Sequence, residues 1–262
     1  MSAHPLRAAF SRRPALVVYV MAGDPSLEAT IELVPRLVEA GADVIELGLP
    51  FSDPMADGPV LQASAMRALA GGTTVARVLD AASRIRTQAP IVTMGYLNPI
   101  LSYGEAHFAR DAKAAGVSGA IIPDLPAEEA AGFASTLREQ GLAFVPLIAP
   151  PTPTERVREI ARLADGFVYY VSVTGVTGAR AALPEDLPAR IVRAREAVSP
   201  VPLAVGFGIG TPEMARSVGA HSDAVVVGSA LVRALHERGP GAAVELTRSI
   251  ATALRGERHV SS

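Results

Sequence analysis

The segment Glu39-Ala40-Gly41-Ala42-Asp43-Val44-Ile45-Glu46-Leu47-Gly48-Leu49 contains the unit from which the rest of the chain is built. A helical stretch ends at Gly41, a residue that closes helices in the left-handed conformation, and an apolar run follows at once. Such a run reads as a strand of a parallel sheet, buried on both faces. Its period of two puts Val44, Glu46 and Gly48 on one face, so a lone carboxyl is set among apolar neighbours.

The same punctuation recurs at Ala115-Gly116, Gln140-Gly141 and Val218-Gly219. Apolar runs begin near residues 15, 43, 90, 119, 143, 167, 201 and 223, with helix-period stretches between them and after the last. Helix starts are marked by Pro25-Ser26 before Leu27–Glu39, Pro126 before Ala127–Gln140, Pro153-Thr154 before Glu155–Ala164, and Thr211-Pro212 before Glu213–Val218. The spacings of 28, 47, 29, 24, 24, 34 and 22 between strand starts sit near the roughly 30 residues of a βαβ unit.

Eight such units predict an α/β fold, a (β/α)8 barrel. We read 1–262 as a single domain, with an N-terminal extension before the first strand and a short flexible C-terminal tail. An open doubly wound sheet would alternate in the same way. Eight units favour closure, and Met21-Ala22-Gly23-Asp24-Pro25 after the first strand has one glycine where a dinucleotide fingerprint has three. The two longest units carry Pro50–Pro59 after strand 2 and Ser172–Arg180 after strand 6. Loops that follow strands form the catalytic face of a barrel, so both are candidate lids.

Composition narrows the function. Hydrophobic residues make up 49% of the 262 residues and charged residues 19%, with no Trp, so the core is built from Ala, Val, Leu and Ile. A net charge of -2 without a basic, aromatic-laced patch argues against nucleic acid as a partner. The absence of cysteine removes disulfides, cysteine-ligated zinc and a thiol nucleophile, and the five histidines show no metal-ligand spacing. The run Ala15–Ala22 after Arg12 and Arg13 is too short to span a membrane and leads into a helix, so the cytoplasm is the expected location.

Glu46 is the first candidate for chemistry. A desolvated carboxyl has a raised pKa, holds a proton near neutrality and can act as general acid and base; the alternative is a structural hydrogen bond. Asp53 and Asp57 stand in Ser-Asp-Pro and Ala-Asp-Gly, ordinary turn chemistry, but at the catalytic rim just past Glu46. One of the two reads as functional and the other as structural or interfacial.

Glycine-containing segments follow the late strands, at Thr174–Gly178, Gly206–Gly210 and Val227–Ala230. Their backbone N–H groups, with a helix starting at Ser229, suit a phosphate. Tyr19, Tyr96, Tyr169 and Phe207 fall at strand ends and would fill the barrel or wall a flat apolar ligand.

These residues match a known family. Glu46-Leu47-Gly48-Leu49-Pro50-Phe51-Ser52-Asp53-Pro54-Met55-Ala56-Asp57-Gly58-Pro59 closely resembles the signature of the tryptophan synthase alpha chain family. Ala22–Pro25, Tyr96–Pro99, Pro123–Pro126, Tyr169–Gly178, Gly206–Ile209 and Gly228-Ser229 extend the match in family order over roughly residues 15–235. The resemblance implies cleavage of indole-3-glycerol phosphate to indole and glyceraldehyde 3-phosphate, with no metal or organic cofactor in this chain.

By the same matching Glu46 is the proton carrier and Asp57 stabilises charge at the indole N–H. Gly178, Gly208, Gly228 and Ser229 hold the phosphate, Tyr19, Tyr96, Ile121, Tyr169 and Phe207 border the indole, and Thr177 pairs with Asp57 on loop closure. Asp53 faces a beta subunit that carries pyridoxal phosphate, in an expected alpha2beta2 assembly. Tyr19, Met21 and Val173 stand where Phe, Thr and Arg respectively are familiar alternatives in the family. Another phosphate-binding barrel, such as a sugar-phosphate isomerase or indole-glycerol-phosphate synthase, would share the late glycine loops but would not require the Glu46–Asp57 segment. A non-catalytic regulatory subunit is the rival from outside enzymology.

Overall fold

The computed structural model describes residues 4–11, 14–171, 184–206 and 208–256, and among them nine parallel strands form one sheet. They are β1 (Ala15–Met21), β2 (Val44–Gly48), β3 (Ile91–Met94), β4 (Val117–Ile121), β5 (Ala143–Val145), β6 (Leu147–Ile148), β7 (Val168–Val171), β8 (Leu203–Gly206) and β9 (Ala224–Val227). The order is β5-β4-β3-β2-β1-β9-β8-β7-β6, so its two ends are consecutive pieces of one chain pass. Pro146 separates them. It has no N–H to give to a ladder, yet its carbonyl accepts from the Tyr169 N–H at 2.9 Å, and the sheet comes round on itself. The fifth strand, expected as one run, is thus two strands on either side of a proline, and the eight expected passes make a (β/α)8 barrel.

Strand faces alternate as the period of two requires. Val17, Val44, Val92, Ile121, Val145, Ala204 and Val226 fill the barrel interior. Leu16, Val18, Val20, Ile45 and Leu47 point the other way, into the layer between strands and helices. The segment before the first strand is a plug. Residues Pro5–Ala9 form α1, which brings Leu6 and Phe10 into the interior core, with the Phe10 ring centroid 5.1 Å from that of Phe167. Room for it comes from two glycines, since a β-carbon on Gly119 or Gly166 would lie 3.2 or 3.0 Å from Leu6 Cδ1.

Three aspartates tie strands together at this N-terminal end in the same way. Asp43 donates its N–H to the Leu16 carbonyl at 2.8 Å, and its carboxylate accepts from the Leu16 N–H at 2.8 Å. Asp165 makes the same reciprocal pair with Phe144 at 3.1 and 3.3 Å, and Asp223 with Leu203 at 3.0 and 2.9 Å. Each carboxylate also meets an arginine, Arg255 at 3.6 Å, Arg138 at 2.8 Å and Arg195 at 2.7 Å. These anchor the end of the barrel that bears on stability rather than chemistry.

The helices begin largely where their caps predict. Ser26 caps α2 (Leu27–Glu39) and Thr211 caps α10 (Pro212–Gly219), each hydroxyl accepting an N–H from three residues on. α8 (Thr154–Ala161) starts at its proline cap, whereas α7 (Ala130–Glu139) starts later than expected because Pro126–Glu129 form a separate turn. The long unit after strand 2 owes its length to a pair of helices, α3 (Pro59–Ala70) and α4 (Val75–Arg84), separated by Gly71 and Gly72. A second pair, α5 (Leu97–Tyr103) and α6 (Glu105–Ala114), follows β3. The remaining helices are α9 (Leu187–Val198), α11 (Ser229–Arg238) and α12 (Pro240–Arg255). Ser172–Arg180 and the C-terminal tail from 257 lie outside the described residues.

Asp223→Ala removes the acceptor for a buried N–H and leaves Arg195 without its partner. The variant should lose about 2–3 kcal/mol of stability, read as a lower urea midpoint at unchanged slope.

Candidate active site

The C-terminal ends of the strands open onto a cavity of about 380 Å³. Its wall brings together Tyr19, Glu46, Asp57, Tyr169, Gly208, Gly228 and Ser229 of the residues singled out in the sequence. Leu61, Met94, Thr211, Val226 and Arg233 join them. Thr177, Gly178 and Phe207 lie outside the described residues. Ile121 is buried in the barrel interior and Tyr96 stands behind Asp57, so neither lines this cavity.

Glu46 is placed by the β1–β2 register, which sets it opposite Tyr19 with Val44 and Gly48 on the same face. It is 1% exposed, and among the described residues neither carboxylate oxygen has a hydrogen-bond partner. Loss of solvation alone pushes its pKa up to about 8. Glycine at 48 makes room for the aromatic wall, because a β-carbon there would sit 2.2 Å from the Tyr19 hydroxyl. The same device recurs on the other side, where a β-carbon on Gly206 would be 2.2 Å from the Tyr169 hydroxyl. The Tyr19 hydroxyl donates to Met21 Sδ at 3.7 Å, so two positions that differ from familiar family members touch one another.

Asp57 lies in the loop between β2 and α3, half-buried, and Tyr96 holds that loop from the end of β3. The Tyr96 hydroxyl accepts the Ala56 N–H at 2.9 Å and bonds the Asp57 carboxylate, while its ring packs on Phe51 with centroids 5.4 Å apart. Tyr96 is steadied in turn by Asp124, which accepts the N–H of Leu97 at 2.9 Å. Burial raises the Asp57 pKa to about 6, and the Tyr96 hydrogen bond acts against that rise. Asp53, by contrast, is exposed and accepts from the Ser52 hydroxyl at 2.5 Å.

Near neutral pH the two carboxyls therefore stand in opposite states, Glu46 protonated and Asp57 ionised, the division expected of an acid and a charge stabiliser sharing one site. In the same cavity wall α11 begins at Ser229, and helix geometry leaves its first-turn N–H groups without intrahelical acceptors. Gly208, at φ 76°, and Gly228 bring backbone close beside that terminus, an arrangement suited to an anion. Among the described residues no group of His, Cys, Asp or Glu could hold a metal ion.

Fold and site together define a barrel enzyme whose cavity wall holds a protonated and an ionised carboxyl together with a helix terminus suited to an anion. The model of the tryptophan synthase alpha chain family matches residues 7–260. The tryptophan synthase alpha chain of Geobacter sulfurreducens is 54% identical over 242 residues, covering 92% of this chain and 90% of that one. That of Laribacter hongkongensis is 50% identical over 230 residues, covering 87% of each. The crystal structure of tryptophan synthase subunit alpha from Legionella pneumophila superposes with a TM-score of 0.89 at 39% identity, covering 97% of this chain and 100% of that one. A chain of Mycobacterium tuberculosis tryptophan synthase does so with 0.89 at 38% identity, covering 97% and 99%. This chain belongs to the tryptophan synthase alpha chain family.

The buried carboxyl links stability to pH with a definite sign. Between 4.5 and about 8 the folded protein holds a proton on Glu46 that the unfolded chain has released. Stability is therefore fullest below that window and falls through it, at up to about 1.4 kcal/mol per pH unit. Glu46→Gln, which has no such proton, should gain on the native protein as pH rises from 5 to 8, in melting temperatures measured side by side.

Proposed function

We propose that Glu46 and Asp57 carry out the cleavage that belongs to the tryptophan synthase alpha family, indole-3-glycerol phosphate to indole and glyceraldehyde 3-phosphate. The chain is a lyase of tryptophan biosynthesis. Glu46 delivers its proton to indole C3, which turns the indole into a leaving group. As the bond between C3 and the glycerol carbon breaks, the Glu46 carboxylate takes the proton of the neighbouring hydroxyl and an aldehyde forms. Asp57 stays ionised and accepts a hydrogen bond from the indole N–H, whose positive character grows when C3 is protonated. The observation that carries this reading is the buried carboxyl of Glu46, without a hydrogen-bond partner among the described residues, in the same cavity as Asp57.

The phosphate lies at Gly208, Gly228 and Ser229, with Gly178 completing its cradle, and Tyr19 and Tyr169 flank the indole. Phe207 borders the indole with them, while Tyr96 and Ile121 support that wall from behind. Thr177 meets Asp57 when the loop after β7 closes, which excludes water from the cleavage. The whole chain works as one catalytic domain.

As an alpha subunit it has a beta subunit as its partner. We assign Asp53 to that interface, beside Met55, which is 91% exposed at the same rim. The assembly is alpha2beta2 in the cytoplasm, pyridoxal phosphate belongs to the beta subunit, and this chain needs no cofactor. No described helix is long and apolar enough to cross a membrane.

Purified protein given indole-3-glycerol phosphate should release indole, and more with a beta chain present. Its kcat/KM should rise through pH 6 as Asp57 ionises and fall through pH 8 as Glu46 loses its proton. Glu46→Gln should lower kcat by about 10²- to 10⁴-fold. Unchanged indole release by that variant would remove the role given to Glu46. Tyr96→Phe deletes the hydrogen bond that favours ionised Asp57, so its acidic limb should move up, toward neutrality. An unmoved limb would mean that Tyr96 does not act through Asp57.

A further inference from the structure

Asp24, in the loop after β1, is 5% exposed and grips one face of α3 at two points. Arg67 Nε donates to its Oδ1 at 2.8 Å and Nη2 to its Oδ2 at 2.6 Å, a bidentate pair. Ser64 Oγ donates to Oδ2 at 2.5 Å. Ser64 and Arg67 are three residues apart, which makes them neighbours on the helix surface.

A third hold lies beyond the end of α3. Gly23, at φ 87°, presses so closely on Thr73 that a β-carbon would be 2.1 Å from its Oγ1, and the Gly23 N–H donates to Thr30 Oγ1 at 3.1 Å. The loop after β1 is thereby braced on α2 and touches α3 near its middle and just past its end.

α3 is the helix that follows the Asp57 loop. It starts at Pro59, two residues on, and the Gln62 side chain donates to the Asp57 carbonyl at 2.9 Å. Its buried residues are Ser64, Ala65 and Ala68; the two alanines pack with Tyr19, Met21 and Val232, and the half-buried Val60 and Leu61 of its first turn rest against that cluster. Beyond that first turn the buried apolar side chains of α3 are alanine methyls, which interdigitate little, so apolar packing sets the middle of the helix weakly along its axis. The charged, directional contact supplies that setting.

We propose that Asp24 is a positioning residue for the cleavage: by gripping Ser64 and Arg67 it fixes α3, and through Gln62 and the short link to Pro59 it keeps Asp57 at the cavity wall. The assignment rests on the role given above to Asp57. Without the grip, α3 slides and Asp57 turns outward to water, so the variant loses both geometry and the partial burial of the carboxylate.

The test compares Arg67→Gln, Ser64→Ala and Asp24→Asn with Arg67→Lys and with Arg138→Gln, which breaks an ion pair at the opposite end of the barrel. Kinetics on indole-3-glycerol phosphate are read together with a carbon-13 titration of the Asp57 carboxyl. In Arg67→Gln and Asp24→Asn, kcat should fall about 10- to 100-fold with KM little changed. The Asp57 midpoint should drop from about 6 toward the ordinary 3.8. Ser64→Ala should shift both in the same direction by less, and Arg67→Lys should restore part of the loss. Arg138→Gln should lose stability while keeping the native kcat and midpoint.

Native kcat and midpoint in Arg67→Gln and Asp24→Asn overturn the proposal. So does a loss of kcat that Arg138→Gln matches at equal loss of melting temperature. Were the native protein to release no indole, the catalytic reading would fail instead, and the Asp57 titration alone would decide the clamp.

Discussion

A carboxyl group taken out of water, with no hydrogen-bond partner among the described residues, is the constraint around which this protein is arranged. Glu46 sits on the inner face of a strand whose other residues are apolar, and every described neighbour withholds a hydrogen bond from it. Ionising such a group is costly, so it keeps its proton at pH values where an exposed glutamate has none. The barrel can hold this unfavourable site because Glu46 lies in the middle of β2, its backbone fixed between β1 and β3. Tyr19 lies across Gly48 and covers the same face, which keeps the carboxyl in an apolar setting.

The two ends of the barrel divide the labour. At the N-terminal end three aspartates pair reciprocally with the preceding strand and with an arginine, and α1 stoppers the interior. These contacts stabilise and take no part in the cavity. At the C-terminal end, polar contacts reach between loops that are far apart in sequence. Tyr96 grips the Asp57 loop, Asp124 steadies the segment after Tyr96, and Asp24 grips the helix that follows Asp57. Stability built at one end lets the other keep a destabilising group, the usual relation between a scaffold and a strained site.

Much of this was legible in the sequence where the cause is local. The period of two placed Val44, Glu46 and Gly48 on one face, and Ser26 and Thr211 marked helix starts that the structure keeps. What escaped depends on contacts at long range or on a single atom. The break in the fifth strand arises from one missing N–H at Pro146, inside a run whose apolar pattern is continuous. The role of Pro5–Ala9 as a plug depends on space left by Gly119 and Gly166, more than a hundred residues away. Two helices were hidden in the long interval after strand 2, whose excess length the sequence reading attached to Pro50–Pro59. The bond from Tyr96 to Ala56 and the grip of Asp24 on Arg67 span 40 and 43 residues, which no local pattern reports. The separate environments of Asp53 and Asp57 have the same origin, since both stand in equally ordinary turn sequences and differ in which one Tyr96 reaches.

The central claim is that Glu46 and Asp57 occupy opposite protonation states at neutral pH, and a carbon-13 titration of both carboxyls in the free native protein tests it most directly. The account predicts midpoints near 8 for Glu46 and near 6 for Asp57. Midpoints for both in the ordinary range near 4 would contradict it, because neither carboxyl would then hold a proton for transfer at neutral pH.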